Sequence, residues 1–195
     1  MRASLAALIA AAVTATSAAA ADDLATRMTR GATLLALDGG LYGGLSNDGS
    51  MSNRHAGATF GAIARRTWRG FYVQGGLLGW IDAGASGRIS SSWGWGAQAN
   101  AAVGYSFVVS DRVALSPGVI ASVMTSRMHL SAGPTDLSSE RWSSTVGVQI
   151  PVTVFVSERV FLEPYLHVER SWSDYTPTGV HGFGASVGHR LGLVL

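Results

Sequence analysis

Six ionisable residues fall into segments where the two alternating sets of side chains differ in polarity: Asp38, Arg65, Glu163, His167, Glu169 and Arg190. Counted by parity, each points to the more polar side of its segment. Opposite charges on one face have two uses, a salt-bridged interior or a relay for protons or ions. Asp38 with Arg65, and Glu163 with Arg190, are the pairs expected because each lies on neighbouring segments at similar heights; Arg190 also reaches Asp38 if the last segment closes on the first. A second set lies in MHLSAGPTDLSSE, where His129, Ser131 and Glu140 have the chemistry of base, nucleophile and orienting acid for acyl transfer. Gly133-Pro134 directly after Ser131 is a turn signal within that stretch. A third set, Arg54, Arg88, Arg127 and Arg141, lies at segment ends, where a guanidinium fork suits a phosphate. The histidines have no local metal-ligand spacing, so no metal is expected. The run Gly39-Gly40-Leu41-Tyr42-Gly43-Gly44 belongs to an alternating segment rather than a phosphate loop, and no cofactor or nucleic-acid partner is expected.

The segments that must position these residues are strands. In SWGWGAQANAAVGYSF, residues 92–107, one set is Trp93, Trp95, Ala97, Ala99, Ala101, Val103, Tyr105 and Phe107; the other is Ser, Gly, Gln, Asn and Ala. Period-two alternation over this length means strands that are apolar on one side. Segments of this kind cover roughly 33–45, 57–67, 70–82, 92–108, 113–127, 141–156, 160–171 and 181–194. Tight connections near 66–70, 109–112 and 157–159 alternate with long ones near 46–56, 83–91, 128–140 and 172–180. Charged residues make up only 13% of the chain, against about 25% for a water-soluble domain. An apolar outside is therefore required as well as an inside. The fold expected is all-β, an eight-stranded antiparallel up-and-down transmembrane β-barrel with a filled polar lumen.

Aromatic residues fall at both strand ends, as girdles at two membrane interfaces would: Trp68, Phe71, Tyr105 and Phe107 by the short turns, Trp93, Trp95 and Trp142 by the long connections. Trp80, Phe155 and Phe161 occupy similar heights, but parity turns them inward. The N-terminus reads as a signal peptide over residues 1–21, followed by a short periplasmic segment at 22–32 and the barrel at 33–195. There is no cysteine, so no disulfide framework.

With these features the chain resembles the small eight-stranded outer-membrane proteins of the OmpA-transmembrane-domain and OmpX kind. Ser186-x-Gly188-x-x-Leu191-x-Leu193 resembles their terminal signal for the barrel-assembly machinery, with Leu where an aromatic is usual. Loop spacing and Gly-Tyr strand ends are also similar to the cellulose-biosynthesis barrel BcsS. The resemblance implies a monomer in the bacterial outer membrane, termini in the periplasm and long loops outside. It also implies a structural or surface-interaction role, with the rim arginines touching lipopolysaccharide. The His-x-Ser spacing and following Glu140 look like those of the lipid A deacylase PagL, which implies the rival reading, an acyl hydrolase; an Asn expected after the serine is Ala132 here. A third reading is a small-solute channel or secretion-linked barrel.

Overall fold

Alternating side chains are resolved into strands along nearly the whole chain in the computed structural model, which describes residues 24–47, 52–86, 90–132, 135–173 and 180–195. A helix, α1 (Leu24–Gly31), precedes ten strand segments. These are β1 (Ala32–Asn47), β2 (Ser52–Trp68), β3 (Phe71–Ser86), β4 (Ser90–Tyr105), β5 (Phe107–Ser110), β6 (Val113–Leu115), β7 (Gly118–Ala132), β8 (Thr135–Phe155), β9 (Val160–Ser173) and β10 (Val180–Val194). All pairings are antiparallel. The order β8-β7-β4-β3-β2-β1-β10-β9 closes through β8–β9, which gives an eight-stranded barrel without a free edge. The segment expected at 22–32 contributes α1 and the first residue of β1; residues 1–23, including the expected signal peptide, lie outside the described residues.

β5 and β6 are the bent ends of β4 and β7. Pro117 has no N–H to give a ladder, and the break runs through Ser106 and Ser116. Their hydroxyls bond each other at 2.8 Å. The freed backbone groups are re-used: Ser106 N–H donates to Gly70 O at 2.7 Å, Ser116 N–H to Pro151 O at 2.9 Å, and Tyr105 N–H to Pro117 O at 3.1 Å. Helix α1 is tied to this flap by Ala25 N–H donating to Asp111 O at 3.0 Å, and Ala25 is wholly buried. The turn between β2 and β3 places Arg69 at φ 50° and Gly70 at φ 84°. Two left-handed central residues suit a two-residue hairpin whose strands twist to the right.

The long connections expected at 46–56, 83–91 and 128–140 are corrected by the register. Strands continue as paired hairpins to Asn47↔Ser52, Ser86↔Ser90 and Ala132↔Thr135. A polar hairpin that projects from the barrel needs no apolar face, so its polarity is no mark of irregular backbone.

The two faces differ as the alternation demands. Outside, Leu37, Leu41, Phe60, Val73, Leu77, Val103, Val119, Val148 and Val187 are all exposed and form an apolar belt. Inside, near the turns, Leu34, Ala36, Ile63, Ala114, Phe155 and Phe161 are buried together with Ala25. Phe155 and Phe161 thus lie within, and so does Trp80. The large inward rings fit because glycines face them from nearby strands. A Cβ at Gly104 or Gly118 would strike the Tyr72 ring, one at Gly96 the Trp80 indole, and one at Gly188 the Tyr165 ring.

Candidate functional site

Above the apolar layer, four charges meet inside the barrel. Glu163, wholly buried on β9, takes a two-pronged contact from Arg65 on β2: Nη1 donates to Oε2 at 2.6 Å and Nη2 to Oε1 at 2.8 Å. Arg190 Nη1 on β10 donates to the same Oε1 at 2.8 Å, and Thr153 Oγ1 donates to Oε2 at 2.6 Å. Arg190 Nε donates to Asp38 Oδ2 at 2.7 Å, and the Tyr165 hydroxyl donates to Asp38 Oδ1 at 2.9 Å. Gln74 Oε1 accepts from Arg65 Nη2 at 2.8 Å, and Gln149 Oε1 from Arg190 Nη2 at 3.3 Å. Each guanidinium also lies over a ring, Arg65 at 4.7 Å from the Tyr72 centroid and Arg190 at 4.3 Å from that of Tyr165. Two cations and two carboxylates balance, and every charged group has hydrogen-bonded partners, as a buried polar network requires.

One pairing differs from the expectation. Arg65 meets Glu163 across the lumen rather than Asp38 on the next strand. In the β1–β2 register Arg65 stands opposite Leu34, while Asp38 stands opposite Gly61. That separates the two along the strand by more than a turn of the pleat. His167 Nε2 lies 3.5 Å from Glu169 Oε2, and both side chains are only partly buried. Among the described residues, no hydrogen bond or ion pair joins them to the four-charge network. Tyr72, Gln74, Gln149, Thr153 and Tyr165 complete that network and were not singled out from sequence. Their signal was available: all share the inward parity of the charges they serve.

At the opposite end, on the outer face, the His129 ring stacks on Trp93 with centroids 4.2 Å apart and planes 12° apart. Glu140 Oε1 accepts from Arg127 Nη2 at 2.7 Å, and both side chains are well exposed. Among the described residues no ion pair joins His129 to Glu140. The Ser131 backbone pairs with Asp136 in the hairpin, and its side chain lies outside the described residues. The acid that would orient the histidine is held by an arginine instead. Arg54 is exposed opposite Leu45. Arg141 pairs with Ser126, and its side chain, like all of Arg88, lies outside the described residues.

The aromatic positions fall at two levels of the outer face. Trp68, Phe71, Tyr105 and Phe107 are exposed by the turns, where Phe71 meets Tyr105 edge-on at 5.0 Å. Trp93, Trp95 and Trp142 are exposed towards the hairpins. A closed barrel with an apolar outside and a charged, hydrogen-bonded inside defines the class, an eight-stranded up-and-down transmembrane β-barrel.

Solved structures are similar to this chain. The outer membrane protein OprG from Pseudomonas aeruginosa is 6% identical with a TM-score of 0.55, over 86% of this chain and 97% of that one. Neisserial surface protein A is 19% identical with a TM-score of 0.49, over 81% and 95%. Ail of Yersinia pestis is 11% identical with a TM-score of 0.45, over 83% and 98%. No family model matches the chain, and no curated protein matches it.

Proposed function

We propose that this chain is a bacterial outer-membrane barrel with an occluded lumen, serving as a structural or surface-interaction protein. Its termini are periplasmic and its hairpins extracellular. The observation that carries the reading is the inversion of polarity, with an exposed apolar belt between two aromatic levels around the buried Asp38–Arg190–Glu163–Arg65 network. Only lipid makes such a belt favourable, and a closed barrel leaves no backbone group unpaired in it. An eight-stranded barrel is just wide enough for side chains, so a hydrogen-bonded network in that space leaves no standing water path.

The turn end carries helix α1 and the C-terminal Leu195, which suits the periplasm, where the assembly machinery takes up the C-terminal strand. The rim arginines then lie in the leaflet of lipopolysaccharide. The test is orientation together with conductance. An epitope inserted within 48–51 is expected to be labelled on intact cells, whereas one at the C-terminus is labelled only after the envelope is permeabilised. Purified folded protein in planar bilayers is expected to stay at the baseline current. Labelling of the C-terminal epitope on intact cells, or steady open channels, would overturn the reading.

The acyl-hydrolase alternative has a separate expectation. With Glu140 bonded to Arg127 and His129 stacked on Trp93, the mass spectrum of lipid A from expressing cells should match that of cells carrying His129→Ala or Ser131→Ala. Loss of an acyl chain only with the unmodified protein would make it an enzyme.

A further inference from the structure

The outer face near the hairpin end carries one cross-strand row whose residues read Arg170, Phe183, Leu45, Arg54. The register runs Arg170↔Phe183 between β9 and β10, Phe183↔Leu45 between β10 and β1, and Leu45↔Arg54 between β1 and β2. Both arginines are exposed, and among the described residues neither has an acidic partner. They stand in contrast to Arg127, whose charge is met by Glu140 at 2.7 Å. Between them Phe183 and Leu45 are 61% and 55% exposed, so the row is cationic at both ends and apolar in the middle. Arg170 is steadied by Trp172, its guanidinium 5.6 Å from the ring centroid.

The next outward row towards the middle of the barrel is Val168, Ala185, Gly43, Ala56. Below that come Leu166, Val187, Leu41 and Ala58. Small side chains at Ala185, Gly43 and Ala56 therefore make a shallow trough directly beneath the arginine row, with longer aliphatic side chains further down. Three strand spacings separate the two arginine positions, about 14 Å at roughly 4.8 Å per strand. That span suits two anionic groups on one broad headgroup, not a single phosphate held between both forks.

From this placement we infer that Arg54 and Arg170 form a two-point clamp for a glycolipid bearing two phosphates, the outer-leaflet lipid A type. Its headgroup lies over Phe183 and Leu45, and an acyl chain lies in the Ala185–Gly43–Ala56 trough. The inference rests on the rim reading above and narrows it: the contact sits on the seam where the last strand meets the first, Arg170 belongs to it, and Arg127 does not. Each guanidinium takes one phosphate through paired N–H donors, and the apolar centre gives the sugar-linked acyl groups a surface that a free anion would not use.

The test is binding of bisphosphorylated lipid A to the full folded protein in mild detergent, read as dissociation constants by native mass spectrometry. Folding of each variant is checked by its heat-modifiable migration. Arg54→Gln and Arg170→Gln are each expected to weaken binding about tenfold, the double variant more, and Arg127→Gln less than about twofold. Monophosphorylated lipid A should bind the unmodified protein about as weakly as a single variant binds the bisphosphorylated form. Inorganic phosphate at millimolar concentration should not compete. If the unmodified protein binds lipid A but Arg54→Gln and Arg170→Gln bind equally well, the clamp is wrong and the rim reading survives. If the unmodified protein does not prefer lipid A to phosphatidylethanolamine, both fail. Competition by inorganic phosphate, lost in the same two variants, would make this an anion site and overturn the lipid assignment.

Discussion

Replacing Glu163 with alanine is expected to destabilise the folded barrel by about 3–5 kcal/mol, the range for removing one partner of a buried ion pair. Its carboxylate is wholly buried and accepts from Arg65, Arg190 and Thr153. Without it Arg190 keeps the Asp38 carboxylate, while Arg65 is left with no carboxylate and keeps only the Gln74 oxygen. The loss is therefore the cost of stranded positive charge more than that of the bonds themselves. Urea unfolding followed by tryptophan fluorescence, in the same lipid or detergent throughout, measures it as a shift in midpoint with the slope unchanged.

A second variant separates charge from packing. Arg65→Ala alone strands part of the negative charge on Glu163, so the Arg65→Ala/Glu163→Ala double variant should lose less than the sum of the singles, by about 0.5–3 kcal/mol. A cost below about 1 kcal/mol for Glu163→Ala, or strict additivity, would mean that water reaches the network and that the lumen is not the dry, paired interior described above.

Phe161→Ala is expected to cost a similar amount, about 3–5 kcal/mol, for a different reason. Phe161 is fully buried in the apolar layer at the turn end with Leu34, Ile63 and Phe155, its ring 6.5 Å from that of Phe155. Gly192 on the adjacent strand makes room for the ring, and a Cβ there would meet it. A closed barrel cannot collapse onto the void, because strand spacing is set by the hydrogen-bond ladder rather than by the core. The same urea titration measures this loss. A cost under about 1 kcal/mol would mean that α1 and the β5–β6 flap move in to refill the space, and that the turn-end layer is pliable rather than packed.

Much of the barrel was written in one dimension. Alternation with a period of two is set at each residue by its neighbours alone, so it assigned Trp93, Trp95 and Tyr105 to the outer face and Asp38, Arg65, Glu163 and Arg190 to the inner one. It also turned Trp80, Phe155 and Phe161 inward against the pull of the aromatic-girdle pattern. Low charge together with alternation demanded two different surroundings for the two faces, and closure followed because lipid tolerates no unpaired edge. The extent of the strands was read less well. Serine, glycine, asparagine and aspartate in 46–56, 83–91 and 128–140 suggested loops, whereas backbone pairing in water does not depend on an apolar face.

The partners inside the barrel were decided only by the tertiary structure. Whether Arg65 meets Asp38 or Glu163 depends on the register between β1 and β2 and on how far closure staggers opposite walls, and both are properties of pairs of strands. Seating Tyr72 against Gly104 and Gly118, or joining Arg54 to Arg170 in one row, likewise needs several registers at once. The sequence by itself determined which face each side chain takes, because facing is local. The structure decided whom it meets there, because a meeting across a closed barrel is fixed by the sum of every pairing around the ring.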